Sequence, residues 1–335
     1  MEKRSFPIVG MILGDHAGIG PEIAAMTLAA REKMDFAPVL AGNLKLFHRA
    51  MALVPGSEEK LDIVDITRDP AAPKQPGKVY FYDIPTLGDI PFSQINAASG
   101  HLIFDSMKAI IDMEQRGLID GFVMGPITKQ ALHAAGLNYS SEFEIYTEAY
   151  HTAGCRAVIK AGDIFRCTVV GHVRFTEIVS KLTPDGIVQT AHALVDVIRR
   201  FHHGGEIRIA VAALNPHAGE DGLFGDEEST IIQPAIDRLL AEGLNVIGPC
   251  PADTVYRRAQ TGKVNGIVYL YHDQGNIAMK AASFGDGVLI YTGVPARIVS
   301  VGHGGAFGSA GKGTASPANL TASLDTLLEM IREAI

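Results

Sequence analysis

Apolar, β-branched runs alternate with stretches of helical period along nearly the whole chain. The strand-like runs are Ile8-Leu13, Pro38-Ala41, Leu61-Ile66, Val79-Ile84, Gly121-Gly125, Ile207-Leu214, Asn245-Ile247, Gly266-Tyr271 and Val288-Tyr291. Between them, helical patterns include Ser99-Gln115, Pro184-Phe201 and Ile231-Glu242. This alternation predicts an α/β chain, with parallel or mixed sheets covered by helices. Ser99 and Thr183 stand where helix N-caps belong, and Gly117 and Gly243 stand just past helix ends. No repeat or low-complexity linker breaks the pattern, so domain crossings are expected to be short, near Gly125 and near His272.

Composition narrows the function classes. A chain of 335 residues is long enough for two domains or one large unit. Lysine and arginine number 29 against 37 acidic residues, a formal charge of -8 with no basic block. That balance argues against nucleic acid or anionic lipid as a partner and favours small-molecule chemistry. No apolar run reaches the roughly 18 residues of a membrane span, and MEKRSFPIVG lacks a signal-peptide core, so a cytoplasmic location is expected. Cys155, Cys167 and Cys250 show no CxxC spacing and are expected to be reduced, mostly buried thiols.

Three segments carry candidate chemistry. The first strand runs into GDHAGIGPE, Gly14 to Glu22, where glycines precede Pro21 and a helical pattern. Strand, turn and helix is the arrangement of a phosphate cradle, but Gly18 and Gly20 are followed by Ile23 where a dinucleotide fingerprint requires glycine. Three histidines follow strand-like runs: His172 after CTVVG, His217 in NPHAGE and His272 in YHDQG. The carboxyl ends of strands face the ligand crevice in open α/β sheets, and three imidazoles with open positions make a catalytic metal shell. Each histidine also reads as a strand-end residue bonded to a backbone carbonyl. The metal reading places Asp273 and Glu220 as carboxylate supports for the imidazoles. Finally, SVGHGGAFGSAGKGTASPANL, Ser300 to Leu320, is dense enough in glycine either to let a flat or anionic ligand approach the backbone or to form a plain surface loop.

The motifs GDHAGIGPE, GPITK (Gly125-Lys129), NPHAGEDGLFGDEE (Asn215-Glu228), GPCPADT (Gly248-Thr254), YHDQG with Lys280, and HGGAFGSAGKG (His303-Gly313) together resemble the 4-hydroxythreonine-4-phosphate dehydrogenase (PdxA) family. That family is itself similar to the isocitrate and isopropylmalate dehydrogenases. The resemblance covers nearly the whole chain. It implies two α/β/α domains with a cleft between them, here 1–125 plus 275–335 for the cofactor and 126–274 for metal, substrate and dimerisation. It also implies an NAD(P)-dependent, divalent-metal-dependent oxidation of a β-hydroxy acid with decarboxylation.

Position by position, the resemblance makes His172, His217 and His272 ligands of a divalent metal shared across a homodimer interface, with zinc expected first and magnesium, manganese or cobalt as alternatives. His303, Gly304, Gly305, Ala306, Gly311 and Gly313 match the loop that wraps the adenosine of NAD in the wider group. Lys280 matches a substrate-contacting lysine, and Lys129 and Asp253 match positions lining the active site. Asp253 also reads as a helix cap. With a metal to stabilise an alkoxide and then an enolate, and an ammonium such as Lys280 to hold the carboxylate or return a proton, this kit suits oxidative decarboxylation. Below about pH 6 the histidines are expected to protonate and release the metal.

The chain departs from the family in the expected substrate pocket. The usual GHTE reads Ser141-Glu142-Phe143-Glu144, Leu289 replaces an asparagine, PFIR reads Pro295-Ala296-Arg297-Ile298, and Asp-His-Gly reads Gly302-His303-Gly304. His16 stands where most relatives have proline. Glu142, Phe143, Leu289, Arg297 and Ile298 are therefore the expected substrate determinants. Fewer donors speak against 4-hydroxythreonine-4-phosphate itself. The apolar residues suit the ring of a terephthalate-type cis-dihydrodiol carboxylate, whereas NPHAGEDGLFGDEE and GPCPADTV resemble the branch acting on threonate or erythronate 4-phosphate. A non-redox metal protein or metal-dependent hydrolase is the reading from another class, and the retained glycine loop argues against it.

Overall fold

The computed structural model describes residues 5–152, 154–201, 205–282 and 287–333. In chain order its first part forms β1 (Ile8–Ile12), α1 (Gly20–Ala29), β2 (Ala37–Gly42), α2 (Leu44–Met51), α3 (Ser57–Lys60), β3 (Ile63–Asp65), β4 (Val79–Asp83), α4 (Ala97–Gln115), β5 (Gly121–Met124), α5 (Lys129–Ala134) and α6 (Glu142–Ala149). The middle forms β6 (Arg156–Ala161), β7 (Ile164–Val170), α7 (Ile178–Lys181), α8 (Pro184–Arg199), β8 (Arg208–Ala212), α9 (Gln233–Ala241), β9 (Asn245–Cys250), α10 (Ala252–Gln260), β10 (Gly266–Tyr271), α11 (His272–Ala282) and β11 (Val288–Thr292). Last come β12 (Ile298–Val301) and α12 (Ala318–Arg332).

Two compact units result, 1–155 with 293–335, and 156–292. The first holds parallel strands in the order β3, β4, β2, β1, β5, β12. All five residues of β1 and all six of β2 are buried, as expected of strands covered by helices on both faces. The second unit orders its strands β11, β6, β7, β10, β8, β9, with β6 antiparallel to both neighbours and β7, β10, β8 and β9 parallel.

These boundaries differ from the expected 125 and 274. Helices α5 and α6 stay with the first unit, where the Tyr146 ring packs 6.0 Å from that of Phe122 in β5. The α11 and β11 segment stays with the second, because β11 pairs with β6 from Val288 to Thr292.

Local signals explain most element ends. The Thr183 hydroxyl accepts from the Gly186 N–H at 3.1 Å and caps α8, with Pro184 at the first helical position. Gly117 and Gly243 follow α4 and α9 with φ of 67° and 85°. Ser99, however, is not a cap. Asn96 caps α4 by accepting the Ser99 N–H at 2.8 Å, while the Ser99 hydroxyl turns inward and donates to Asp15. Strands β6 and β12 lie outside the expected runs, since RAVIKA is interrupted by Arg156 and Lys160 and IVSV spans only four residues. No helix among the described residues is long and apolar enough to cross a membrane.

Candidate active site

In the second unit, β10 lies between β7 and β8, all three running parallel. His172 follows β7, His272 follows β10 directly, and His217 follows β8, so strand order delivers the three histidines to one edge of the sheet. The His172 and His272 rings are 4.9 Å apart between centroids. They line a cavity of about 770 Å³ with Arg174, Phe175, Lys181 and Asp273. His272 Nδ1 donates to Asp273 at 2.7 Å and His217 Nδ1 to Glu220 at 2.5 Å. The Glu220 carboxylate, by hydrogen bond and charge, holds the His217 imidazole above its usual pKa.

His217 sits on unusual backbone. From His217 to Asp221 every residue has positive φ, between 43° and 82°, a left-handed turn in which four of five residues are not glycine. Such conformations cost about 1–2 kcal/mol each for L-residues, so the surroundings must impose them. Glu228 does so. Nearly buried, it accepts the backbone N–H groups of Leu214 and Asn215 at 2.8 and 2.7 Å and the Asn215 side-chain amide at 2.9 Å. No local pattern marks Glu228 for this role. Its position in NPHAGEDGLFGDEE is the one signal the sequence offers.

The start of α11 is fixed from behind. Gln274 donates to the Ala213 carbonyl at 2.7 Å, and Asn276 bridges the His272 carbonyl at 3.0 Å to buried Arg166 at 2.6 Å. Burial lowers the Arg166 pKa to about 10, and no carboxylate bonds it among the described residues. Lys280 is exposed in the last turn of α11, about 12 Å along the axis from His272 by helical rise. Asp253 is exposed in the first turn of α10 and makes no side-chain cap, which removes the capping alternative.

The donor set fits a divalent ion: two adjacent imidazoles, and carboxylates on the Nδ1 atoms of His272 and His217. The expected three-way cluster is not formed. Among the described residues no group of three or more His, Cys, Asp and Glu side chains is placed to hold a metal. The chain itself brings His172 and His272 together, while the exposed left-handed turn presents His217 separately.

In the first unit, the glycine-rich segment follows β12 and is largely open, with His303, Gly304 and Ala306 exposed and Gly305 buried. Its shape depends on the opening GDHAGIGPE turn. The Ile19 N–H donates to the Gly305 carbonyl at 3.0 Å, an approach that leaves no room at position 18, where a Cβ would lie 2.6 Å from the same oxygen. Buried Glu22 accepts the N–H groups of Gly311 and Gly313, the latter at 3.1 Å. The opening turn is therefore a brace for the later loop.

His16 is 1% exposed in that turn, its Nδ1 3.1 Å from the Gly14 carbonyl and its Nε2 accepting the Asn43 N–H at 3.3 Å. Desolvation lowers its pKa from 6.5 to about 4. The folded ring thus stays neutral while the unfolded chain takes a proton as pH falls through 6.5, so stability present at neutral pH is lost on acidification toward 4. We expect His16→Gln to remove about 2 kcal/mol of the wild-type loss between pH 7.5 and 5, measured by urea denaturation. Parallel pH profiles for the two proteins would refute this.

The expected substrate residues divide. Glu142 and Phe143 open α6 and Lys129 opens α5, all half-buried in the first unit, while Leu289 is half-buried in β11 of the second. Ile298 does not fit the expectation: it is 0% exposed in β12 and belongs to the core. Arg297 does not fit either. It precedes β12 and points to the Asp120 carbonyl before β5, at the amino end of these parallel strands, whereas the glycine loop leaves β12 at the carboxyl end. None of the three cysteines forms a disulfide among the described residues, and burial pushes Cys155 and Cys167 up to about 12 and 11, which suits inert packing residues.

Comparison with known proteins agrees with these motifs. The family model described as pyridoxal phosphate biosynthetic protein PdxA matches residues 35–327. The chain is 33% identical over 325 residues to D-threonate 4-phosphate dehydrogenase of Pectobacterium atrosepticum, covering 96% of this chain and 99% of that one. It is 34% identical over 330 residues to 4-hydroxythreonine-4-phosphate dehydrogenase of Desulforapulum autotrophicum, covering 95% and 94%. A crystal structure of 4-hydroxythreonine-4-phosphate dehydrogenase from Klebsiella pneumoniae superposes with a TM-score of 0.85 at 30% identity, covering 98% and 99%. With motifs, strand order and end-to-end similarity in agreement, the chain belongs to the PdxA family and, like these relatives, is an oxidoreductase.

Proposed function

We propose that this protein is an NAD(P)-dependent dehydrogenase of a phosphorylated β-hydroxy acid, in the four-carbon class of D-threonate 4-phosphate, with loss of carbon dioxide after oxidation. The observation that carries the reading is the adjacent His172 and His272 pair at the ends of parallel strands, in a chain similar over its full length to a D-threonate 4-phosphate dehydrogenase. His172, His217 and His272 would hold the metal, zinc first among the candidates. When bound, the ion would lower the pKa of the substrate hydroxyl and stabilise negative charge on its oxygen, and the nicotinamide would accept the hydride.

The chain's own groups complete the chemistry. Asp273 and Glu220 keep the Nδ1 protons of His272 and His217 in place and so direct the Nε2 atoms outward. Lys280 and Lys129 supply ammonium charge for a carboxylate or phosphate, and Asp253 supplies a carboxylate beside His217. Glu142, Phe143 and Leu289 shape the substrate preference. The exposed His303–Gly313 loop receives the adenosine. Phe175, Leu223 and Phe224, 76%, 71% and 49% exposed on the segments that carry His172 and His217, support a homodimer that covers this edge. The protein works in the cytoplasm.

Purified protein with zinc, magnesium or manganese should release NADH or NADPH with D-threonate or D-erythronate 4-phosphate and not with the unphosphorylated acids. Turnover confined to a dihydrodiol carboxylate would overturn the substrate class, and silence with every metal and both nucleotides would overturn the dehydrogenase reading.

A further inference from the structure

Within 303–313 the glycine-rich segment is held at Gly305, Phe307, Gly311 and Gly313, and all four contacts lead back to the opening turn, that of Phe307 by way of Ser93. Gly305 is tied to Ile19 by a backbone hydrogen bond. The Phe307 carbonyl accepts the Ser93 hydroxyl at 2.6 Å, and the Ser93 N–H donates to the Ala17 carbonyl at 2.7 Å. Arg49 stacks 3.9 Å from the Phe92 ring centroid and donates to the carbonyls of Ile90 and His16 at 2.8 and 3.1 Å. Gly311 and Gly313 are tied to Glu22.

The Glu22 contact is unlike the others because it is made by a charge. A wholly buried carboxylate is costly unless its oxygens are bonded. Here each oxygen takes one backbone N–H from the loop, in the first turn of α1 where the helix dipole favours negative charge, with the Arg49 guanidinium in its field. Gly311 and Gly313 both have positive φ, 77° and 63°, a path that an unanchored glycine loop leaves readily. Their N–H groups are spent on Glu22, so a ligand meets the exposed residues His303, Gly304, Ala306 and Gly308 on a path already set.

We propose that Glu22 is a positioning residue for the cofactor loop: it fixes the 311–313 backbone and so lowers the ordering cost of nucleotide binding without touching the nucleotide. This rests on the reading of His303–Gly313 as the adenosine loop. Glu22→Gln keeps the size and one acceptor but sets an N–H donor against a loop N–H. Hydrogen–deuterium exchange of a peptide covering 303–313 should accelerate at least about tenfold in Glu22→Gln while peptides of the second unit stay unchanged. NADH titration should show an affinity about tenfold weaker, and steady-state kinetics a higher KM for NAD with kcat within about twofold. Ser93→Ala, which removes only the exposed Ser93 hydroxyl bond, should give the same pattern at smaller size and serves if Glu22→Gln fails to fold. Unchanged exchange in both variants would overturn the brace. Faster exchange with unchanged NADH affinity would overturn its link to the cofactor and, separately, the reading of this loop as the adenosine site.

Discussion

Replacing His272 by alanine is expected, if the proposed metal-dependent chemistry holds, to abolish metal binding and lower kcat/KM by about a thousandfold, roughly 4 kcal/mol of transition-state stabilisation. His272 is the central member of the histidine edge: its strand lies between those that lead to His172 and His217, and its ring is in contact with His172. The side chain is 43% exposed, so the fold should lose no more than about 0.5 kcal/mol and the loss of activity will not reflect unfolding. Removing the support alone, as Asp273→Asn, should cost less, about tenfold to a hundredfold, because the imidazole stays but its Nδ1 partner is no longer charged. Metal content measured on the purified variants, beside kcat/KM, decides the matter. Full metal occupancy and near-normal turnover in His272→Ala would remove the histidine edge from the mechanism.

The second large effect is steric and concerns the opening turn. Gly14 has φ of 77°, and a Cβ there would lie 2.3 Å from the Pro126 carbonyl oxygen, which also accepts the Asp15 N–H at 2.9 Å. Neither backbone can yield without breaking the junction between the ends of β1 and β5. Gly14→Ala is expected to destabilise the protein by about 3 kcal/mol or more. Gly136 provides the contrast, with φ of 78° and nothing within 4 Å of the place a methyl group would take, so Gly136→Ala should cost only about 1 kcal/mol, the conformational part alone. Urea denaturation of the two variants separates strain from collision. Equal losses would show that the close approach at Gly14 carries no weight.

Much of the candidate site's placement beyond strand ends was legible because its signals are local. CTVVG, IVYLY and the apolar run before NPHAGE announce strands, and a histidine just beyond each announces the edge where ligands gather. Thr183 and Gly243 mark helix ends by chemistry that operates within four residues. Ser99 misled because the same hydroxyl that suits a cap also suits Asp15, 84 residues away, and a buried carboxylate is the stronger claimant. The substrate expectation failed at Arg297 and Ile298 for a related reason. Motif spacing places a residue along the chain, but whether it sits at the amino end of a strand, at the carboxyl end or inside the core follows from pairing with β5.

From sequence alone came the α/β class, the three histidines, the glycine loop and the family, since periodicity and short motifs are properties of neighbouring residues. Tertiary structure alone decided that β10 lies between β7 and β8, that His172 and His272 meet while His217 stands on a left-handed turn entered from residues held by Glu228, and that the domain divisions fall at 155 and 292. It also settled the place of GDHAGIGPE, whose Glu22 reaches glycines 289 and 291 residues later. Contacts at such separations are chosen by which strands pair and which charges must be satisfied once buried, and neither leaves a period or a spacing in the chain.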